Sequence, residues 1–305
     1  MKPYNLICIL GHTAGGKTSL AAHLAYKIKS EIISADSRQI YRNMSIGTGK
    51  DLEDYIVNGE KINYHLIDIK EAGTKYNVYE FQKDFLKVFN QLSEKNIIPI
   101  LCGGTGLYIE AVTKGYKLIH VPVNPELRKK LENYTLEQLT VMLSKYKKLH
   151  NKTDVDTKKR AIRAIEIETY YKNHPEIKND YPEINCLYIG VKFSREERRE
   201  RITKRLHERL KNGMIEEVQK LLKEGLNPDD LIYYGLEYKY ITEYLTGKYP
   251  YNEMVSKLET AIHQFAKRQM TWFRGMERKG TKIHWLDGNL DMDKKIEKIL
   301  NLLDK

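Results

Sequence analysis

Gly11-His12-Thr13-Ala14-Gly15-Gly16-Lys17-Thr18 is the stretch that decides the fold. It follows the apolar run Leu6-Ile7-Cys8-Ile9-Leu10 and opens the helical pattern Ser19-Leu20-Ala21-Ala22-His23-Leu24-Ala25. Strand, glycine-rich loop and helix with G-x-x-x-x-G-K-T spacing read as a P-loop. Its glycines let successive N–H groups turn inward, the helix start adds partial positive charge, and Lys17 adds a full one. Such a cradle holds a diphosphate or triphosphate, and the Thr18 hydroxyl is placed to bind the accompanying Mg²⁺. The motif says what is held and not what is done with it, because kinases, hydrolases and transferases all use it.

Outward from the loop, the first third of the chain alternates strand and helix. Strands are expected at residues 5–10, 31–35, 64–69 and 97–102, and helices at 17–29 and 76–95. That order predicts an α/β fold, a nucleotide-kinase-like parallel sheet with flanking helices and sites at the carboxyl ends of the strands. Past Pro122 and Pro125 the pattern changes to helices rich in Lys and Leu over 126–174, followed by a polar, proline-marked stretch to Glu183. A strand returns at 186–193, long helical segments follow at 195–224 and 251–278, and a short strand is expected at 282–286. The division read from this is a core of residues 1–119 and 183–305, interrupted by a helical insertion at 120–182.

The formal net charge of the 305 residues is +11, unevenly placed. Residues 1–113 carry 13 Lys and Arg against 12 Asp and Glu, whereas 114–305 carry 39 against 29. A protein binding only a small nucleotide does not need that excess. A polyanion such as RNA would explain it, and so would solvated surface lysines. No apolar run is long enough to span a membrane, and the first residues lead straight into a core strand, leaving no room for a signal peptide. The three cysteines, Cys8, Cys102 and Cys186, stand in apolar, strand-like runs without metal-ligand spacing. They read as reduced thiols of a cytoplasmic protein.

Three further segments bear on chemistry. Glu31-Ile32-Ile33-Ser34-Ala35-Asp36-Ser37-Arg38-Gln39-Ile40-Tyr41 ends a buried strand with an acid, a hydroxyl and an amide. An Asp there can hold a hydrated metal, act as a general base, or simply cap a turn. Cys102-Gly103-Gly104-Thr105-Gly106-Leu107-Tyr108 is a second glycine turn, offering more N–H groups and the Thr105 hydroxyl, or only a tight strand-to-helix connection. Basic residues recur at helical spacing in Lys158-Lys159-Arg160-Ala161-Ile162-Arg163, at Arg201 and Arg205, and in Lys267-Arg268-Gln269-Met270-Thr271-Trp272-Phe273-Arg274-Gly275. The last mixes cations with aromatics, which suits phosphate contact plus base stacking. Each is equally a solvated face of an amphipathic helix.

Together, GHTAGGKT, SADSRQIYRNMSIGTGK, HLID, CGGTGLY, KRAIRAIEI and KRQMTWFRG, in that order from residue 11 to 275, closely resemble the bacterial tRNA dimethylallyltransferases, also called tRNA isopentenyltransferases. The resemblance implies transfer of a dimethylallyl group from dimethylallyl diphosphate to N6 of the adenosine immediately 3′ of the anticodon, in tRNAs that read codons beginning with U. It implies a P-loop holding an isoprenoid diphosphate rather than ATP, with Mg²⁺, in a monomer that engages a tRNA anticodon stem-loop. Asp36 matches the residue that accepts the amine's proton and Thr105 one near the reacting centre. Lys17 and Arg205, with Arg201 as the alternative to the latter, match groups on the diphosphate. The tRNA contacts it implies map to Asp36, Ser37, Arg38, Gln39, Thr105, Arg128, Lys159, Arg160, Arg163, Lys267, Arg268, Gln269, Trp272 and Arg274. The chain departs from the family at His12, commonly proline, at Gly15, often serine, and at Gly235-Leu236-Glu237-Tyr238, where many members have Gly-Tyr-Arg-Gln. A P-loop nucleoside or nucleotide kinase, an adenylate isopentenyltransferase acting on free AMP, and a non-catalytic RNA-binding P-loop protein are the rival readings.

Overall fold

A computed structural model of the chain describes residues 4–146, 153–175 and 181–304. Two compact units are present: Met1–Tyr116 with Glu183–Lys305, and Lys117–Pro182. The larger begins β1 (Leu6–Gly11), α1 (Lys17–Ile28), β2 (Ile32–Ser34), β3 (Ile56–Val57), β4 (Glu60–Lys61), β5 (Tyr64–His65), α2 (Val78–Glu94), β6 (Ile100–Gly103) and α3 (Gly106–Thr113). The smaller contains α4 (Pro125–Leu131), α5 (Leu136–Ser144) and α6 (Lys158–Asn173). The larger resumes with β7 (Cys186–Lys192), α7 (Arg195–Lys211), α8 (Met214–Lys223), α9 (Pro228–Tyr233), α10 (Leu236–Leu245), α11 (Tyr251–Arg278), β8 (Ile283–Asp287) and α12 (Met292–Leu303).

The main sheet has six parallel strands in the order β5-β2-β6-β1-β7-β8. Strand β1 is buried along its whole length, and its side chains divide between two cores: Leu6, Cys8 and Leu10 face one, Ile7 and Ile9 the other. A strand covered on both faces has no need of polar alternation, which is why its sequence is one apolar run. The order places β2, β6 and β1 side by side, so the three loops leaving their carboxyl ends share one edge of the sheet.

Several elements differ from the sequence reading. The strand expected at 64–69 pairs only at Tyr64 and His65, because Leu66 (φ 61°) and Asp68 (φ 55°) take left-handed conformations that end the ladder. The helical run expected at 195–224 is two helices. Gly213 (φ 98°) breaks it and starts α8, after α7 has opened on a capping box of Ser194 and Glu197. The hairpin β3–β4 and helices α9, α10 and α12 fall in segments to which the sequence reading assigns no element. Parts of the helical and polar stretches read at 126–174 and 173–183 lie outside the described residues.

In the smaller unit Leu131, Leu139, Leu143, Ala161, Ile162 and Ile165 form a separate apolar cluster. Beside it Glu166, 1% exposed, accepts from Arg128 Nε and Nη2 at 3.0 and 2.8 Å, from the Asn124 N–H at 2.6 Å and from Arg163. Burial by itself raises the carboxyl's pKa, but these donors outweigh it and hold the group at about 2. Its folded pKa therefore lies below its ordinary 4.5, and its contribution to stability is complete above that pH and lost as pH falls towards 2. We expect protection of the α6 amides, measured against intrinsic exchange at each pH, to decline over that window. In Glu166→Gln it should be lower and flat. A wild-type profile as flat as the variant's would show that the pairing does not hold the unit together.

Candidate active site

The P-loop is bent by Ala14 (φ 59°) and Gly16 (φ 69°), and Gly16 stands at the N-cap of α1. No side chain caps this helix and no acid occupies its first turn, so its leading N–H groups are left for an anion. Lys17 Nζ donates to the His12 carbonyl at 2.7 Å. Burial lowers its pKa to about 8 and the nearby Arg205 charge pushes the same way, leaving the amine largely protonated at neutral pH. His12 lies beneath the loop, 1% exposed, edge-on to Phe193 at 5.9 Å. Burial takes its pKa to about 4, so the neutral ring donates from Nδ1 to the Thr13 carbonyl at 2.6 Å. What His12 offers the loop is its backbone carbonyl, which accepts from Lys17.

Residues 13–18 line a cavity of about 400 Å³ with Asp36, Asp54, Arg201, Lys204 and Arg205. Arg205 donates to the Thr13 hydroxyl. Burial, then repulsion from Arg209, lowers the guanidinium's pKa to about 10 without discharging it. Arg201 lies 4.4 Å over the Phe193 ring and donates to the Ala14 carbonyl at 3.2 Å. The two arginines sit four apart on α7, so both alternatives from the sequence reach the same cavity. Among the described residues no group of three or more His, Cys, Asp and Glu is arranged to hold a metal. Thr18, Asp36 and Asp54 nevertheless line this cavity. Mg²⁺ keeps several waters and takes phosphate oxygens, so these few protein donors suit it.

Asp36 follows β2. Its Oδ1 accepts from the Arg38 N–H at 2.9 Å, and its own N–H donates to Ser34 Oγ at 3.3 Å. Thr105 Oγ1, at the carboxyl end of β6, accepts from the Ser37 N–H at 3.3 Å and ties the second glycine turn to this segment. Between the two turns Gln269 of α11 acts as a strut. Its Oε1 accepts from the Thr13 N–H at 2.9 Å, and its Nε2 donates to the Gly104 carbonyl at 3.0 Å. A β-carbon at Gly104 would come within 2.3 Å of Gln269 Nε2, and one at Gly106 within 2.3 Å of the Trp272 ring. Phe265, Arg268, Gln269 and Trp272 recur along α11 at helical spacing and line a second, more apolar cavity of about 410 Å³ with Ser37, Arg38, Thr105 and Leu236. Thr13, Asp36, Gly104 and Arg205 belong to both cavities.

Of the remaining candidates, Lys267, Trp272 and Arg274 are exposed on α11. In the smaller unit Lys159 and Arg160 are exposed, with Arg160 2.9 Å from Asp156, while Arg128 and Arg163 are held by Glu166. The sequence reading assigns no role to Glu217, Tyr238, Arg209 or Lys50. Lys50 is buried and donates to the Tyr41 carbonyl at 2.7 Å and to Asp68. Arg209 meets both oxygens of Asp51, at 3.1 and 2.8 Å. Their partners lie far off in sequence or in loops, and no local pattern marks them.

A parallel sheet with a phosphate-binding loop at its centre and a cationic cavity beside an apolar one defines a P-loop protein of the kinase-like class. The IPP transferase family matches residues 39–276, and the chain belongs to that family. It is 62% identical over 303 residues to tRNA dimethylallyltransferase 2 of Phocaeicola vulgatus, covering 99% of both chains. It is 61% identical over 304 residues to tRNA dimethylallyltransferase 1 of Parabacteroides distasonis, covering 100% of this chain and 99% of the other. The crystal structure of the full-length tRNA isopentenylpyrophosphate transferase of Bacillus halodurans superposes with a TM-score of 0.72 at 31% identity, covering 98% and 95% of the two chains.

Gln269→Leu preserves much of the side chain's size and leaves the Thr13 N–H and Gly104 carbonyl without partners, at a cost of about 1–3 kcal/mol. Inorganic diphosphate measured by calorimetry should then bind roughly tenfold more weakly. Unchanged affinity would mean that the P-loop holds its shape without the strut.

Proposed function

We propose that the chain transfers a dimethylallyl group from dimethylallyl diphosphate to N6 of the adenosine 3′ of the anticodon in tRNAs reading codons that begin with U. The observation that carries the reading is the position of Asp36 on the wall common to the cationic and the apolar cavity. A prenyl transfer needs a diphosphate site and an acceptor site that meet at one proton acceptor. The relatives' names and the chain's excess of basic residues after residue 113 support tRNA as the acceptor.

In the reaction the N6–C1 bond forms as the C1–O bond to diphosphate breaks. The N6 lone pair is delocalised into the purine, so the amine is a weak nucleophile, and its proton passes to the Asp36 carboxylate as the new bond forms. Thr105 holds the segment beside Asp36 through the Ser37 N–H. The departing diphosphate gathers negative charge, which the P-loop N–H groups, Lys17 and Arg205 would stabilise. Thr18, with the acidic groups of that cavity nearby, would hold Mg²⁺, which supplies neutralisation of the diphosphate oxygens when bound. Lys267, Arg268, Trp272 and Arg274 would meet RNA by charge and stacking.

Dimethylallyl diphosphate or ATP, each offered with tRNA or AMP, separates this reading from its rivals. Transfer is expected only with dimethylallyl diphosphate and tRNA, and phosphate transfer from ATP would overturn it. Asp36→Asn keeps the shape and removes the proton acceptor, so the single-turnover rate should fall roughly 10²- to 10⁴-fold with diphosphate affinity unchanged. A rate within a few-fold of wild type would leave Asp36 only an orienting part.

The smaller unit we assign to the tRNA. Lys159 and Arg160 are the residues to test, since reversing Arg163 would also strip Glu166 of a partner. Lys159→Glu with Arg160→Glu should weaken tRNA binding and lower the slope of log affinity against log salt by about 1–2, roughly one for each phosphate no longer neutralised. Saturating tRNA should restore most of the rate. Identical slopes and affinities would return these charges to plain solvated surface.

A further inference from the structure

Residues 45–49 form a turn that walls both cavities, with Thr48 lining each. The turn's leading N–H groups are capped from outside it, by Glu217 on α8, some 170 residues further along. Its Oε2 accepts from the Ser45 and Ile46 N–H groups, both at 2.8 Å, and its Oε1 from the Gly47 N–H at 3.0 Å. The Tyr238 hydroxyl donates to the same Oε1 at 2.6 Å. Its ring lies against Gly47 so closely that a β-carbon there would come within 2.8 Å. One carboxylate thus caps the turn in trans, as a capping side chain does for a helix from within.

The far end of the turn is bonded onward. The Gly49 carbonyl accepts from Gln39 Nε2 at 3.0 Å, Gln39 Oε1 accepts from Ser34 Oγ at 3.1 Å, and Ser34 Oγ accepts from the Asp36 N–H at 3.3 Å. We infer that Glu217 is a positioning residue that fixes the turn at 45–49 and, through Gln39 and Ser34, the placement of Asp36. The inference rests on the reading of Asp36 as the proton acceptor. Glu217 itself lines neither cavity, so the effect of changing it should fall on the chemical step. An error of about an ångström in a reacting group costs up to about a hundredfold in rate.

The test is a double-mutant cycle with Asp36→Asn, read as kcat and KM for dimethylallyl diphosphate at saturating tRNA. Glu217→Gln leaves the turn one acceptor oxygen instead of two. It should lower kcat about tenfold with KM within about twofold, and cause little further loss in the Asp36→Asn background. Gln39→Met cuts the chain of bonds downstream and should give the same loss of kcat and the same coupling to Asp36→Asn, its KM set aside because Gln39 lines the cationic cavity, which keeps the inference testable if Glu217→Gln fails to fold. Tyr238→Phe spares the three N–H bonds and should keep kcat within about threefold. Additive losses, or a kcat within about twofold of wild type in Glu217→Gln or Gln39→Met, overturn the inference and leave Asp36 untouched as the base. An Asp36→Asn enzyme as fast as wild type overturns the parent reading and this one with it.

Discussion

The site depends on how closely the backbone at the carboxyl ends of β2, β6 and β1 can approach. At Gly103 a β-carbon would lie 2.4 Å from the Ala35 carbonyl oxygen, which is backbone and cannot move aside. At Gly11 one would lie 2.8 Å from the Val191 carbonyl oxygen on β7. With glycine at these places the P-loop, Asp36 and Thr105 leave the ends of three neighbouring strands, where Thr105 accepts from the Ser37 N–H and Gln269 bridges Thr13 to Gly104. Any larger residue would push the strand ends apart and separate the P-loop from Asp36.

Upon that approach rests a division of labour between two helices. Helix α7 presents Arg201 and Arg205 to the P-loop side, where charge complementarity matters most. Helix α11 presents Trp272 to the apolar side and Phe265 and Gln269 to both cavities, where an apolar surface and a fixed wall matter. Burial lowers the pKa of Lys17 and Arg205, and each charge then acts through a medium of lower dielectric than water. Such a pocket holds an anion more strongly than open solvent does, at the cost of keeping its cations charged when partly desolvated.

The smaller unit uses charge in another way. Glu166 is buried and its two arginines keep it ionised, so part of the basic content of that segment is structural. A count of lysines and arginines cannot separate such cations from those left for a polyanion. The distinction needs the positions of their partners.

What the amino-acid order by itself determined is local. The P-loop, the buried run of β1, the second glycine turn and the 28-residue helix at Tyr251–Arg278 each carry their signal within a few turns of chain. Strand periodicity, glycine placement and apolar spacing depend on neighbours in sequence, and from them the parallel α/β class and the glycine-rich loop were legible, whereas Asp36 stood open between a turn cap and a functional acid until the family resemblance gave it a role. The break at Gly213 and the early end of β5 were not, since propensity is a weak guide where one residue adopts a left-handed conformation. Only the tertiary structure decided that Gln269 braces two loops, that Glu166 holds Arg128 and Arg163, and that Glu217 caps a turn at Ser45 to Gly47. Most of these bonds join groups tens to hundreds of residues apart, and their energy depends on distances that no local pattern records.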